Sequence, residues 1–229
     1  NSYIFTKKNL LKGIITLPLN KFSIKKVKKD FIGHTEYFEK IDKKNISNMI
    51  FVKKNLIVTT LTTHIKLKEI DKYLLKKNYI YNKIISLNKT LIEDFKIKDP
   101  KLLISGINPH AGENGLFGSE EIKILKPIIK KLKKSIKIKG PISGDSMLIN
   151  SNRNKFDCFI FNFHDQALIP FKLLSNYEGI NFTSGLSVLR VSPDHGTAYD
   201  LVGKSIAKSK SLHNCFKFII KASRNRKNC

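Results

Sequence analysis

Leu102-Leu103-Ile104-Ser105-Gly106-Ile107-Asn108-Pro109-His110-Ala111-Gly112-Glu113-Asn114-Gly115-Leu116-Phe117-Gly118-Ser119-Glu120-Glu121 is the stretch whose reading decides the fold. It opens on an apolar run, and Ile122, Ile124, Leu125, Ile128, Ile129 and Leu132 follow it at helical spacing. Strand, long polar loop and helix in succession form the repeating unit of an α/β protein. The loop holds Gly112, Gly115 and Gly118, and ordering glycine costs more backbone entropy than ordering any other residue. A ligand is the simplest reason for such a loop. Asn108-Pro109 favours a turn that sets His110 just past the strand's C-terminal end, the edge where open α/β sheets bind ligands. A loop histidine making only a backbone hydrogen bond is the plainer alternative, and one His does not decide between them.

Upstream, Gly13 to Leu17 is a short β-branched run closed by Pro18, and a basic stretch to Lys29 with helical character follows. Phe31-Ile32-Gly33-His34-Thr35-Glu36 leads into a helix carrying Tyr37, Phe38 and Ile41, with Thr35 as its expected cap. Free N–H groups at that helix start suit a phosphate or carboxylate. Met49 to Val52 and Leu56 to Leu61 read as a hairpin across Lys53-Lys54-Asn55. From Leu67 to Phe95 apolar residues keep helical spacing, with an interruption expected near Asn88.

Downstream, Ile136 to Ile138 is a strand running into a glycine-broken loop at Gly140 to Ser146. Phe156 to Phe163 is almost continuously apolar, as in a strand covered on both faces, and ends in His164-Asp165-Gln166. Gly179 to Gly203 is dense in Gly, Thr, Ser and Asp. A helical pattern runs from Ala198 to about Lys221 with a break near Lys210, and the tail from Arg224 to Cys229 is expected to fray.

The chain has 229 residues, 41% of them hydrophobic, enough for a real core. Its net charge of +25 would ordinarily suggest a nucleic acid partner. Only four of the 43 basic residues are Arg (Arg153, Arg190, Arg224 and Arg226), and the lysines are spread along the chain. Phosphate and base recognition favour the forked guanidinium, so a Lys-coated, solvated surface is expected, with no nucleic acid partner. Cys158, Cys215 and Cys229 are odd in number and have no paired spacing, which indicates neither a disulfide framework nor a zinc ribbon. A reducing, cytoplasmic setting is expected. No apolar run reaches the length of a membrane span and no signal-peptide layout is present, so no membrane association is expected.

His64, His110 and His164 each follow a separate expected strand. If those strands are parallel neighbours, all three imidazoles emerge at one sheet edge, where three His with one open position form a recognised catalytic zinc arrangement. Their distance in sequence excludes a local zinc-finger clip. Ordinary structural histidines are the alternative reading. A second group is cationic: Lys172 and Arg190, with Asn181 between them, can hold a phosphate, the Arg as a fork and the Lys as a point charge. Arg190 carries the greater weight, because Arg is scarce here and this one is expected among turn residues.

Gly33-His34-Thr35-Glu36, Thr62-Thr63-His64, Asn108-Pro109-His110-Ala111-Gly112-Glu113, His164 through Lys172 and Asp194-His195-Gly196-Thr197-Ala198 resemble the 4-hydroxythreonine-4-phosphate dehydrogenase family of vitamin B6 biosynthesis, in order and approximate spacing. Thr16 through Lys21 is similar to a further family segment. The resemblance implies NAD(P)-dependent oxidation of 4-phosphohydroxy-L-threonine to a β-keto acid, which loses CO₂ to leave 3-amino-2-oxopropyl phosphate. It implies His64, His110 and His164 as ligands of a divalent metal (Zn, Mg or Co), and His34, Thr35, Lys172, Asn181 and Arg190 as substrate contacts. It leaves the catalytic base and the residues that hold NAD or NADP unassigned. A paralogue acting on another phosphorylated hydroxy acid, such as a phosphothreonate, and a non-catalytic remnant are the alternatives.

The implied fold is the two-domain α/β/α type of the isocitrate and isopropylmalate dehydrogenases, in a homodimer whose sites are completed across the interface. The chain starts inside the family pattern, so the first domain is expected to be incomplete. Residues 1–30 and 200–229 would be its remainder, and 31–199 the metal- and substrate-binding domain. Without the upstream part the chain is expected to turn over substrate poorly. Smaller departures are Ala167 where Gly is usual, Gly144-Asp145-Ser146 in place of Ala-Asp-Thr, and Ser187 and Val191 where Pro and Thr are usual. None removes an expected ligand.

Overall fold

The computed structural model describes residues 1–31, 33–44 and 46–227, and in it one mixed sheet is built from eight strands. These are β1 (Ile14–Ile15), β2 (Asn48–Lys53), β3 (Leu56–Thr60), β4 (Lys101–Ser105), β5 (Lys137–Ile142), β6 (Cys158–Phe161), β7 (Ile180–Ser184) and β8 (Arg190–Pro193), in the spatial order β1-β8-β7-β2-β3-β6-β4-β5. The helices are α1 (Ser2–Lys7), α2 (Lys21–Val27), α3 (His34–Asp42), α4 (Ile70–Leu74), α5 (Lys77–Glu93), α6 (Lys126–Leu132), α7 (Asn150–Arg153), α8 (His164–Ser175) and α9 (Lys210–Lys227). The α/β architecture is the expected one. β2 and β3 form the expected antiparallel hairpin, and β6 lies parallel between β3 and β4.

Alternation along the strands sorts side chains between two faces. Ile50, Val52, Ile57, Phe182 and Val191 point to one face, where they form the main core with residues of α5, α6 and α9. Met49, Phe51, Val58, Phe159 and Phe161 point to the other, where α8 lays Leu168 and Phe171 on them. Phe171 is fully buried, and burying a side chain of that kind stabilises the fold by about 1.5–3 kcal/mol. α8 covers β3 and β6. Over β7 and β8 that same face carries the antiparallel pairs Asn181 with Ser192 and Thr183 with Arg190. The polar strip is left uncovered by α8, and a cleft forms there.

Several local expectations are corrected. The interruption between Leu67 and Phe95 falls after α4, at Leu75-Lys76, and α5 runs through Asn88 because Ile84, Leu87 and Leu91 keep its buried stripe continuous. Gly33, not Thr35, is the N-cap of α3, and it offers no side-chain cap. The Gly- and Ser-rich segment at 179–203 contains β7 and β8, so Arg190 opens a strand and does not sit among turns. The last helix begins only at Lys210, after a short turn at Tyr199–Leu201.

Its end is anchored, not frayed. Arg226 Nε and Nη2 donate to the two carboxylate oxygens of buried Asp94 at 2.5 and 3.0 Å, and Asn225 Nδ2 donates to the Asp94 carbonyl at 2.7 Å. Cys158 and Cys215 are free and buried. Ile32 and Cys229 lie outside the described residues. Among the described residues no helix is long and apolar enough to cross a membrane.

Lys83 of α5 is buried, and its ammonium donates to the Leu61 carbonyl at 2.8 Å, at the end of β3. Burial pushes its pKa down from 10.5 to about 8, partly opposed by the charge of Glu39. Between those values the unfolded chain binds the extra proton, so stability rises with pH across that window. We expect wild type to gain about 1–3 kcal/mol relative to Lys83→Met between pH 8 and 10.5, measured by urea unfolding. Parallel curves for the two proteins would contradict this.

Candidate active site

A cleft of about 560 Å³ opens over β7, β8 and β2, with Asn181, Arg190, Met49 and Phe51 in its lining. Gly33 to Glu36 at the start of α3, His164 and Lys172 on α8, and Asp194 to Thr197 also line it.

Arg190 is 2% exposed. Its Nε and Nη2 donate to Thr16 Oγ1, and Nη1 donates to Thr183 Oγ1 at 2.9 Å. Thr183 Oγ1 in turn lies 3.5 Å from Thr35 Oγ1. These partners are neutral hydroxyls, and among the described residues no carboxylate forms an ion pair with the guanidinium. Burial pushes its pKa down to about 10, partly opposed by Cys215 and the Glu36 carboxylate. A buried cation left in this state is stabilised by an incoming anion.

Two helix starts add to that field. α3 begins at His34 and α8 at His164, and neither has a side-chain cap on its first N–H groups. The positive end of each helix dipole therefore meets the cleft, a favourable place for an anion. Lys172, two turns along α8, supplies a mobile point charge and lies 5.8 Å from the Tyr177 ring centre.

His64 and His164 come together, with ring centres 5.8 Å apart. Glu36 Oε1 lies 3.3 Å from His64 Nδ1, and Asp165 Oδ1 lies 2.7 Å from His164 Nδ1. A carboxylate on Nδ1 fixes the tautomer that leaves Nε2 free to bind a metal, so this pair suits a divalent ion. His110 does not join them: it is exposed, outside the cleft lining, and its ring is 6.1 Å from that of Phe117. Among the described residues no group of three His, Cys, Asp or Glu is close enough to hold a metal. Within one chain the donors thus fit an ion in part, through His64 and His164. The remaining expected site residues, His34, Thr35, Lys172, Asn181 and Arg190, all line the cleft.

Sequence reasoning missed Thr16, Thr183 and Asp194. Thr183 was within reach as the second residue after Asn181 on a strand, hence on its face. Asp194 stands in the Asp-His-Gly-Thr-Ala segment but was given no role. It is 7% exposed, and its Oδ2 has no hydrogen-bond partner, as is also true of Asn181 Oδ1. Burial raises its pKa from 3.8 to about 6, while Lys172, His195 and His164 pull it down. Two acceptor atoms without partners in the same cleft are suited to donors on a polar ligand.

Fold and cleft together define an α/β protein with a cationic cleft on a sheet face beside a pair of histidines. A family model described as pyridoxal phosphate biosynthetic protein PdxA matches residues 3–219, and the chain belongs to that family. It is 44% identical over 203 residues to a 4-hydroxythreonine-4-phosphate dehydrogenase of Aquifex aeolicus, covering 88% of this chain and 62% of the relative. It is 36% identical over 201 residues to a D-threonate 4-phosphate dehydrogenase of Pectobacterium atrosepticum, covering 87% of this chain and 61% of that one. The crystal structure of a 4-hydroxythreonine-4-phosphate dehydrogenase from Klebsiella pneumoniae matches with a TM-score of 0.83 and 32% identity, over 96% of this chain and 67% of that one. The chain spans about three fifths of the length of the curated relatives it matches.

Asp194 gives a pH-dependent test of the cleft's electrostatics. Its folded-state pKa of about 6 lies above its ordinary 3.8. The stability it contributes is therefore present below 3.8 and lost as pH rises through 6. Asp194→Asn should match wild type near pH 4 and exceed it by about 1–3 kcal/mol at pH 8, read by thermal melting without ligand. A variant less stable than wild type at pH 8 would contradict this.

Proposed function

We propose that the chain carries the metal- and substrate-binding part of an NAD(P)-dependent dehydrogenase that oxidises the secondary alcohol of 4-phosphohydroxy-L-threonine. The β-keto acid so formed decarboxylates to 3-amino-2-oxopropyl phosphate. The observation that supports this reading best is the cleft itself. A buried guanidinium that forms no ion pair among the described residues, Lys172 and two helix starts without a side-chain cap converge beside His64 and His164. That field suits a substrate with two anionic ends, and an enzyme gains rate by fixing such ends while the carbon between them reacts.

Each residue has a place in the proposal. His34 and Thr35 meet one anionic group at the start of α3, and Arg190 and Lys172 meet it or the other as fork and point charge. Asn181 offers an acceptor to a substrate donor. His64 and His164 hold a divalent ion through Nε2, and His110 of a second copy completes the set in a homodimer. When bound, Zn, Mg or Co would act as a Lewis acid that lowers the hydroxyl pKa and polarises the ketone. The nicotinamide would accept the hydride. In this reading residues 31–199 bind metal and substrate, residues 1–30 and 200–229 belong to a first domain, and the setting is the reducing cytoplasm. A second reading, oxidation of a phosphothreonate, is favoured by the likeness to the Pectobacterium protein. Assaying both substrates with a protein of the relatives' full length separates them.

Two outcomes are expected for that longer protein. Single His64→Ala, His110→Ala and His164→Ala changes should each lower bound metal, measured by elemental analysis after gel filtration. Unchanged stoichiometry in all three would remove the metal site. Lys172→Ala and Arg190→Ala should each lower kcat/KM by roughly 30- to 1,000-fold, or about 2–4 kcal/mol of transition-state stabilisation. Arg190→Lys should also be impaired, because an ammonium cannot reproduce a two-pronged contact. Lys130→Ala, on the exposed face of α6, is the control. Cleft variants that behave like it would overturn the substrate assignment.

A further inference from the structure

His110 sits in a backbone conformation that the sequence gives no obvious reason to adopt. Five consecutive residues are left-handed: His110 at φ 50°, Ala111 at 52°, Gly112 at 78°, Glu113 at 39° and Asn114 at 58°. Four of them carry side chains, and L-residues enter this region at a cost that grows with each residue added. Such a turn persists only where its surroundings over-determine it.

Those surroundings centre on one carboxylate. Glu121 is 1% exposed. Its Oε1 accepts from the backbone N–H groups of Ile107 and Asn108, both at 2.7 Å, and its Oε2 accepts from Asn108 Nδ2 at 3.1 Å. The backbone is wrapped so closely around it that a Cβ on Gly112 would lie 2.5 Å from Glu121 Oε2, and one on Gly106 would lie 2.6 Å from Ala111 Cα. Among the described residues no Lys, Arg or His pairs with this carboxylate, so N–H donors alone satisfy its buried charge. On the other side of the same segment, Gln166 Nε2 donates to the Gly106 carbonyl at 2.9 Å, and Gln166 Oε1 accepts from Ser105 Oγ at 3.1 Å and from the Asn162 N–H at 3.0 Å. Gln166 lies close behind His164 on α8, so the arm that carries His110 is tied to the helix that carries His164.

We propose that Glu121 is a positioning residue: its carboxylate clamps the 107–114 turn in its left-handed form and thereby fixes the direction in which His110 leaves the sheet. The functional consequence rests on the reading of His110 as a metal ligand; the clamp itself does not. Replacing one carboxylate oxygen by an amide NH₂ puts a donor where Asn108 Nδ2 needs an acceptor, or where the Ile107 and Asn108 N–H groups do. Glu121→Gln therefore loosens the turn while keeping side-chain volume. Glu120→Gln is the control, because among the described residues Glu120 accepts from Asn108 Nδ2, at 2.7 Å, and from no backbone N–H of the turn.

Native-state hydrogen exchange on the chain decides the clamp. In Glu121→Gln the amides of 107–116 should exchange at least about tenfold faster than in wild type, with β4 and α6 unchanged and Glu120→Gln close to wild type. Unchanged protection in 107–116 overturns the proposal. So does uniform loss of protection or failure to fold, since Glu121 would then be a general core residue. A Co²⁺ titration reads the consequence: affinity should fall about 10- to 100-fold in Glu121→Gln and at least as far in His110→Ala. If His110→Ala binds Co²⁺ like wild type, the ligand reading fails and the exchange result still judges the clamp. If His110→Ala weakens binding and Glu121→Gln does not, the positioning role fails and the ligand reading stands.

Discussion

Main-chain hydrogen bonds hold β6 between β3 and β4, with both Val58 and Leu103 in register with Phe159. The three strands run parallel, so the Thr62 to His64, Gly106 to His110 and His164 exits leave the sheet at one edge. Because side chains alternate, a slip of one residue would exchange the faces of each strand. Met49 and Phe51 would leave α8, and Asn181, Thr183 and Arg190 would turn into the apolar core. The cleft therefore depends on register before any cleft residue is considered. The register is in turn enforced by the two apolar faces, one under α8 and the other under α5, α6 and α9.

Among the charged side chains buried around this frame, Glu121, Lys83, Asp94 and Arg190 are each accommodated differently. Glu121 is surrounded by N–H donors, and Lys83 meets a backbone carbonyl. Asp94 is paired with Arg226. Among the described residues Arg190 donates to threonine hydroxyls alone, and it is also the one of these four that opens to the cleft. A charge satisfied within the fold holds structure in place, whereas one left facing a cavity remains available to a ligand. The net charge of +25 points elsewhere. It comes mostly from lysines spread along the chain, whereas the cleft holds one of only four arginines.

Much of the frame was legible before folding. The apolar runs at 102–105 and 156–163, the hairpin at 49–61 and the helical spacing after Ile122 all became the expected elements, since a strand or helix with one dominant buried face writes its period into the sequence. Strands β7 and β8 were not legible. They are short and polar on their cleft face, and they lie among Gly, Ser and Asp residues that read locally as turns. The helix at 164–175 was hidden because its apolar residues continue the run of the strand before it. The extra order at Arg226 comes from Asp94, a partner that no local pattern names.

From the sequence alone came the α/β class, the strand-end placing of His64, His110 and His164, the weight given to Arg190, and the family resemblance. These depend on residue type and short-range spacing, which a linear chain carries intact. Only the tertiary structure decided that His64 and His164 come together while His110 stands apart, that Arg190 is buried on a sheet face with no ion pair among the described residues, and that Glu121 is buried against the N–H groups of Ile107 and Asn108 beside a left-handed turn. Those properties are set by distances between segments far apart in the chain and by the water excluded between them, and neither quantity exists until the strands have paired.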